Sequence, residues 1–262
     1  MGVLNVTPDS FSDGGIYLEV DRAVAHAREM AAAGADLIDA GAESTRPGAD
    51  PVAVEEQIRR VLPVLQILRD ELPQTALSID TTQSAVAEAA LDAGAAIVND
   101  ISAGRDDPQM LSLIARRRVP VILMHMLGRP RTMQQAPDYE DVTAEVAGFL
   151  NERIVTAGIH GIDLTRILID PGIGFGKTTE HNLTLLNRLR ELTVLGRPIV
   201  IGTSRKRFIG QVTGETEASD RIWGTAASVA WSIANGASIV RVHDVEAMAK
   251  VVKMCRAIMR ET

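Results

Sequence analysis

Gly94-Ala95-Ala96-Ile97-Val98-Asn99-Asp100 opens on a glycine, crosses two alanines, runs through two β-branched residues and stops on two polar ones. A glycine just past a helix supplies its left-handed cap, and a strand can follow within two residues. The phrase recurs at Gly34-Ala35-Asp36-Leu37-Ile38-Asp39 and at Gly236-Ala237-Ser238-Ile239-Val240-Arg241. Three copies of one helix-to-strand joint describe a repeated architecture, not a ligand site.

Working outward, eight short apolar runs end at or near a polar residue or glycine. They are Val3-Leu4-Asn5, Leu37-Ile38-Asp39, Leu77-Ser78-Ile79-Asp80, Ile97-Val98-Asn99-Asp100, Val121-Ile122-Leu123-Met124-His125, Ile167-Leu168-Ile169-Asp170, Ile199-Val200-Ile201-Gly202 and Ile239-Val240-Arg241-Val242-His243. Continuous apolar runs of this length suit strands buried on both faces of a parallel sheet. Helix-length stretches separate them, among them Asp21 to Ala33 and Gln83 to Ala93. Asp107-Pro108 and Asp244 read as helix starts, with Pro108 at the first helical position. About eight βα units in roughly 250 residues is the arithmetic of a (β/α)8 barrel. The expectation is therefore an α/β protein, one (β/α)8 TIM-barrel domain over residues 1–262, with the polar strand ends converging at a single mouth.

Composition narrows the function. With 46% hydrophobic, 23% charged and 3% aromatic residues and a net charge of −7, the chain has a large core and little stacking surface. That argues against a nucleic-acid platform. No signal peptide or membrane-length apolar run is legible, so cytoplasmic residence and no membrane partner are expected. The glycosylation sequons at Asn5 and Asn182 then have no chemical meaning. Cys255, the single cysteine, allows no intrachain disulfide and reads as a small buried hydrophobe on a helix.

The loops after the strands carry the chemistry. Thr7 to Gly15 is rich in turn formers but holds Phe11, which favours a lid over a plain connection. Glu43-Ser44-Thr45-Arg46-Pro47-Gly48 offers hydroxyls, a guanidinium and a rigid turn to an anionic or aromatic-acid ligand. Asp170-Pro171-Gly172-Ile173-Gly174-Phe175-Gly176-Lys177 is no Walker loop, because Pro171 stands where the first glycine belongs. Its glycines permit close approach, and Phe175 offers a face to a planar ligand. Ser204-Arg205-Lys206-Arg207 reads as a capped helix start with three cations in its first turn, which opposes the macrodipole and points to a bound anion. Arg241 and His243 fall on the same side of the last strand and suit a polyanion. Buried Asp80, Asn99 and Asp170 call for a partner with paired N–H donors.

With these residues assembled, the chain closely resembles the dihydropteroate synthases, a family of pterin-binding barrels. The motifs run in order from Met1-Gly2-Val3-Leu4-Asn5-Val6-Thr7-Pro8-Asp9-Ser10-Phe11-Ser12-Asp13-Gly14-Gly15 through Glu43 to Gly48, Ser78-Ile79-Asp80, Ile97 to Asp100, Leu123-Met124-His125-Met126, Asp170 to Lys177 and Ser204-Arg205-Lys206 to Arg241-Val242-His243-Asp244. The resemblance implies a transferase that condenses 6-hydroxymethyl-7,8-dihydropterin diphosphate with 4-aminobenzoate, giving 7,8-dihydropteroate and pyrophosphate. It implies that Asp80, Asn99 and Asp170 read the pterin edge and that Lys206 meets its oxo and ring-nitrogen side. Met124, Phe175 and Gly202 would shape the slot, with Arg241 over the ring. Asn5 would ligate Mg²⁺ together with diphosphate oxygens held by Arg241 and His243. Thr45, Arg46 and Pro47, with Phe11 and Ser204, would form the aminobenzoate side, and Asp13 would sit near the reacting carbon. A homodimer through the late helices is also implied.

Three departures stand out. The sequence begins at its first strand, where the family usually adds a segment under the barrel, so either the chain is shortened there or the barrel floor is covered otherwise, which bears on stability more than on activity. Ala42 stands in place of a common glycine, and Arg207 in place of a serine that helps hold the aminobenzoate carboxylate. The rival readings are a pterin-dependent methyltransferase, which shares the Asp/Asn/Asp floor, and a non-catalytic pterin-binding homologue. A Schiff-base aldolase using Lys206 is weaker still. Thr45-Arg46-Pro47 and Ser204-Arg205-Lys206 speak for the synthase.

Overall fold

The computed structural model describes residues 1–6, 15–43, 52–128, 132–133 and 136–260. Strand and helix alternate along the chain: β1 (Gly2–Asn5), α1 (Gly15–Ala32), β2 (Leu37–Gly41), α2 (Val54–Glu71), β3 (Ala76–Asp80), α3 (Ser84–Ala93), β4 (Ile97–Asp100), α4 (Met110–Arg117), β5 (Val121–Met124), α5 (Val142–Ile159), β6 (Ile167–Asp170), α6 (Thr179–Asn187) and β7 (Ile199–Ile201). Then come α7 (Arg207–Thr213), α8 (Ile222–Ala234), β8 (Ala237–Val240) and α9 (Val245–Arg260). The strands pair in parallel in the order β1 to β8. The ring closes where Val3 N–H donates to the Val242 carbonyl (3.0 Å) and Val242 N–H to that of Met1 (2.9 Å). This is the (β/α)8 TIM barrel that the apolar runs predict.

Its packing follows from those runs. Every residue of β2, β5 and β7 is buried, as strands between an inner core and an outer helix layer must be. In α2, Val61, Val64, Leu65 and Leu68 share one helix face and have no exposure at all. Around them the opposite face carries Arg59, Arg69 and Asp70 into solvent. α9 lies against the starts of β2 and β8 and leaves a cavity of about 220 Å³ between Met1, Leu37, Ile239 and Met248. Among the described residues, no helix is long and apolar enough to cross a membrane.

The three repeated joints are helix caps as expected: Gly34, Gly94 and Gly236 have φ of 100°, 118° and 102°. Several local expectations need correction. The last strand ends at Val240, because the ladder passes from β7 to β1 there and Val242 is left as an isolated bridge. α4 begins at Met110, and Asp107 instead accepts from Gln109 N–H (2.8 Å) and Ser84 N–H (2.7 Å), tying this turn to the start of α3. Asp244 does precede α9 and its carbonyl accepts from Met248 N–H, but its carboxylate pairs with Arg205. Cys255 is half-exposed beside outward-facing Met254 and Ile258, so it is not a core residue.

A Cβ on Gly94 would need the left-handed backbone and would press within 2.9 Å of the Arg69 side chain, whereas one on Gly34 meets only the Ala249 Cβ at 3.7 Å. Both alanine variants are expected to lose about 1–3 kcal/mol to backbone strain. Gly94→Ala should lose the more of the two, as urea unfolding monitored by circular dichroism would measure.

Candidate active site

The C-terminal ends of the strands surround an ionic cluster. Asp39 sits in the middle of β2 with no exposure. Its carboxylate accepts from the Ser78 hydroxyl of β3, from the Asn99 amide of β4 at 3.0 Å and from Arg241 Nε, beyond β8, at 2.7 Å. The other arm of Arg241 reaches Asp80 at 2.8 Å. Burial pushes Asp80 up to about 7, against the pull of Arg241 and with the charges of Asp39 and Asp100 adding to the rise. Burial also disfavours the Arg241 cation, but Asp39 and Asp80 outweigh it and raise its pKa. Arg241 thus bridges two carboxylates that are largely withdrawn from solvent, and removing it would leave both without their cation.

Sequence reasoning has Asp39 as the polar end of the second run but gives it no role in the site. Its signal was available: a carboxylate interrupting a run otherwise wholly apolar, in a strand buried on both sides. Asp100, next to Asn99, faces the other way, as alternation along a strand requires. It accepts from Ser102 N–H and hydroxyl and from Gly104 N–H, all at 2.7 Å, and so shapes the loop after β4. Burial lifts it to about 6 in spite of those donors.

A second group flanks the first. Asp170, at the end of β6, accepts from Gly172 N–H at 2.7 Å, and burial raises its pKa while Lys206 opposes that rise. Lys206 bonds the Ile173 carbonyl and places its ammonium 4.6 Å from the centroid of the Phe175 ring. Burial lowers Lys206 to about 8, with Asp170 holding it up and Arg241 pushing it down. Gly202 lies between the two cations: a Cβ there would stand 3.8 Å from Lys206 Nζ and 3.9 Å from Arg241 Cβ. Phe175 also packs on a small apolar cluster of Ile101, Met124, Met126 and Met133. Asp80, Asn99, Asp170, Lys206, Met124, Phe175, Gly202 and Arg241 thus form one connected wall of charge and apolar surface.

The basic turn is not the crowded helix start that the sequence predicts. α7 begins only at Arg207, and Arg205 sits outside it with φ of 59°. Its guanidinium pairs with Asp244 at 2.5 Å, and its N–H donates to the Thr225 hydroxyl at 3.1 Å. Lys206 turns inward instead, so no unrelieved repulsion accumulates there. Ser204 is not a helix cap: its hydroxyl accepts from His243 N–H at 3.1 Å and lies 3.0 Å from His243 Nδ1. Asn5 ends β1 and is exposed. Among the described residues there is no group of three His, Cys, Asp or Glu that could cage a metal. An Asn5 amide oxygen suits Mg²⁺, which commonly takes one or two protein oxygens and completes its shell with substrate phosphates and water. Phe11, Asp13, Thr45, Arg46 and Pro47 lie outside the described residues. Nearby, Glu43 accepts from Val52 N–H and the Gln57 amide.

Comparison with known proteins agrees with this geometry. The family model described as "Pterin binding enzyme" matches residues 1–243. The dihydropteroate synthase of Synechocystis sp. is 47% identical over 260 residues, covering 99% of this chain and 90% of its own. A structure of Xanthomonas albilineans dihydropteroate synthase with 4-aminobenzoic acid has a TM-score of 0.92 at 48% identity, covering 98% of this chain and 92% of that one. The same enzyme in complex with 7,8-dihydropteroate superimposes with a TM-score of 0.87 at 45% identity, again over 98% and 92%. Full-length identity, one fold and one order of motifs leave one conclusion: the chain belongs to the dihydropteroate synthase family of pterin-binding enzymes.

Proposed function

We infer that the pocket at the strand ends joins 6-hydroxymethyl-7,8-dihydropterin diphosphate to 4-aminobenzoate, forming 7,8-dihydropteroate and releasing pyrophosphate. The observation that carries this reading is the buried array of Asp80, Asn99, Asp170 and Lys206 beside the Phe175 ring. A planar heterocycle with amidine-like N–H donors on one edge and an oxo acceptor on another matches that order of acceptors and cation. Asp170 and Asp80 accept from the donor edge, Lys206 donates to the oxo and ring-nitrogen side, and Met124, Phe175 and Gly202 bound the slot. Arg241, tethered at both ends, lies over the ring.

In the reaction the methylene C–O bond to diphosphate breaks and a C–N bond to the arylamine forms, with the amine proton released. Arg241 and His243 hold the departing diphosphate, where the fixed Arg241 cation and a preorganised imidazole oppose the charge that develops. When bound, Mg²⁺ would neutralise part of that same charge, with Asn5 as its protein ligand. Ser204 fixes the His243 ring from one side. Roles for Asp13 near the reacting carbon and for Thr45, Arg46, Pro47 and Phe11 around 4-aminobenzoate, with Ser204, rest on the motifs. Cytoplasmic residence belongs to the same reading. So does a homodimer through the late helices, supported by Trp223 (83% exposed) on α8 and Ile258 (59%) on α9, large apolar side chains on adjacent helices.

The direct test is pyrophosphate release. It should require both 4-aminobenzoate and the pterin diphosphate, and a rate indifferent to 4-aminobenzoate would refute the condensation. Asp170→Asn keeps an acceptor for Gly172 N–H but turns a donor toward the pterin edge. It is expected to weaken calorimetric binding of a pterin by about 1.5–3 kcal/mol, and unchanged affinity would remove Asp170 from the site.

Lys206 provides a pH test. Its folded pKa of about 8 lies below its ordinary 10.5, so the folded protein binds fewer protons than the unfolded chain between those values. The charged lysine therefore weakens the fold below pH 8, and the penalty fades as pH rises from 8 to 10.5. Lys206→Met should be at least as stable as the parent at pH 7 in urea unfolding, with the difference narrowing toward pH 10.5. Turnover should fall about 100-fold or more.

A further inference from the structure

Behind the pocket wall lies a lysine that the reaction as derived above does not use. Lys177 is 3% exposed, and its ammonium meets three acceptors: His125 Nδ1 at 2.8 Å, the Phe175 carbonyl at 3.0 Å and the Gly172 carbonyl at 3.1 Å. One acceptor for each N–H is a complete set for an ammonium. The His125 ring is itself buried, edge-on to Phe149 at 4.9 Å. Burial, with Lys177 and Arg105 nearby, lowers His125 to about 2, so the ring is neutral and free to accept at Nδ1. The loop has little other freedom here: a Cβ on Gly172 would lie 1.8 Å from the His125 carbonyl oxygen.

The consequence reaches the pocket through Phe175. Its carbonyl is held by Lys177, while its ring lies under the Lys206 ammonium. Gly172, held by the same Lys177, donates to Asp170. One buried cation thus fixes the backbone on both sides of the surface that faces the pterin. We propose that Lys177 is a positioning residue for the condensation, pinning the Gly172–Phe175 backbone so that the Phe175 ring and Asp170 carboxylate stand ready for the pterin. This rests on the pterin reading of the pocket given above.

The charge environment makes the role readable. The groups that face Lys177 are His125 after β5, Asp170 on β6, Lys206 after β7 and the Tyr139 ring at 6.0 Å, with Arg105 near His125 and His181 edge-on to Tyr139. Burial lowers Lys177 to about 7, Asp170 resisting and Lys206 assisting. A neutral amine has two N–H groups for three acceptors, so the wall should loosen as pH rises through this range.

The experiment compares Lys177→Met with the parent enzyme, using 6-hydroxymethylpterin in calorimetry and both substrates in turnover. Pterin affinity is expected to fall about tenfold with the KM for 4-aminobenzoate within about twofold. The descending limb of kcat/KM for the pterin substrate that begins near pH 7 should move up toward that of Lys206, near pH 8, while the ascending limb of Asp80 stays. Unchanged pterin affinity, an equal loss for both substrates, or an unmoved pH profile would each overturn the proposal. If Lys177→Met does not fold, His125→Leu removes one acceptor and leaves the lysine, and the pH limb should then shift to lower pH. Failure of both variants to fold would reduce Lys177 to a structural residue and also overturn it. A parent enzyme that binds no pterin would instead refute the reading of the pocket itself.

Discussion

Arg241 lies between two buried carboxylates, 2.7 Å from Asp39 and 2.8 Å from Asp80. Removing any one partner would strand charge in a place where desolvation is expensive. The pairing also spans the barrel, from the segment after β8 to β2 and β3, so it fixes where three strand ends stand relative to one another. Asn99 joins through Asp39, and Gly202 through its closeness to Arg241. The polar floor is therefore one linked object, and the aromatic wall of Phe175 leans on it through Lys206.

Such a cluster is a poor way to gain stability. Buried ion pairs often do no better than apolar residues of similar volume, and Asp80, Asp170 and Lys206 are all shifted by burial toward their neutral forms. That combination of desolvated charge and fixed geometry is characteristic of functional sites. The desolvated charge gathers at Asp39 and the strand ends above it, while the barrel is otherwise packed with residues such as Ile38, Ile79, Ile122 and Ile169, each with 1% exposure or less. Stability and chemistry occupy different layers of one fold.

The barrel was legible because its signal is redundant. Eight apolar runs and three glycine joints say the same thing, and parallel strands buried on both faces leave little room for another reading. Boundaries were less legible: the last run continued past Val240 because Val242, which bridges to β1, is apolar, and Pro108 resembles a helix start although Asp107 holds a turn there. Asp80, Asn99, Asp170, Lys206 and Arg241 could be named because each follows or ends a run. Asp39 was seen only as the polar end of the second run, because the two small residues that continue β2, Ala40 and Gly41, hid that it lies mid-strand, and Lys177 stands seven residues past β6. The basic turn misled for a physical reason. Consecutive cations invite a macrodipole argument, but a single left-handed residue, Arg205, sends its own side chain to Asp244 and leaves Lys206 facing the pocket.

The seam between β1 and the segment after β8 has a bearing on how the molecule is made. The bond from Arg241 to Asp39 joins residues 202 positions apart, and that to Asp80 joins residues 161 apart. Long-range closures of this kind are slow to form, since the intervening chain must be ordered before the contact repays its entropy. During synthesis, β1 to β7 can emerge and begin to pair with Asp39 and Asp80 still lacking their counter-cation. Those two carboxylates lack their shared guanidinium partner until Arg241 leaves the ribosome and joins the ring. Assembly of the pocket and closure of the barrel are then a single late event, so a nascent or truncated chain holds no partly working site.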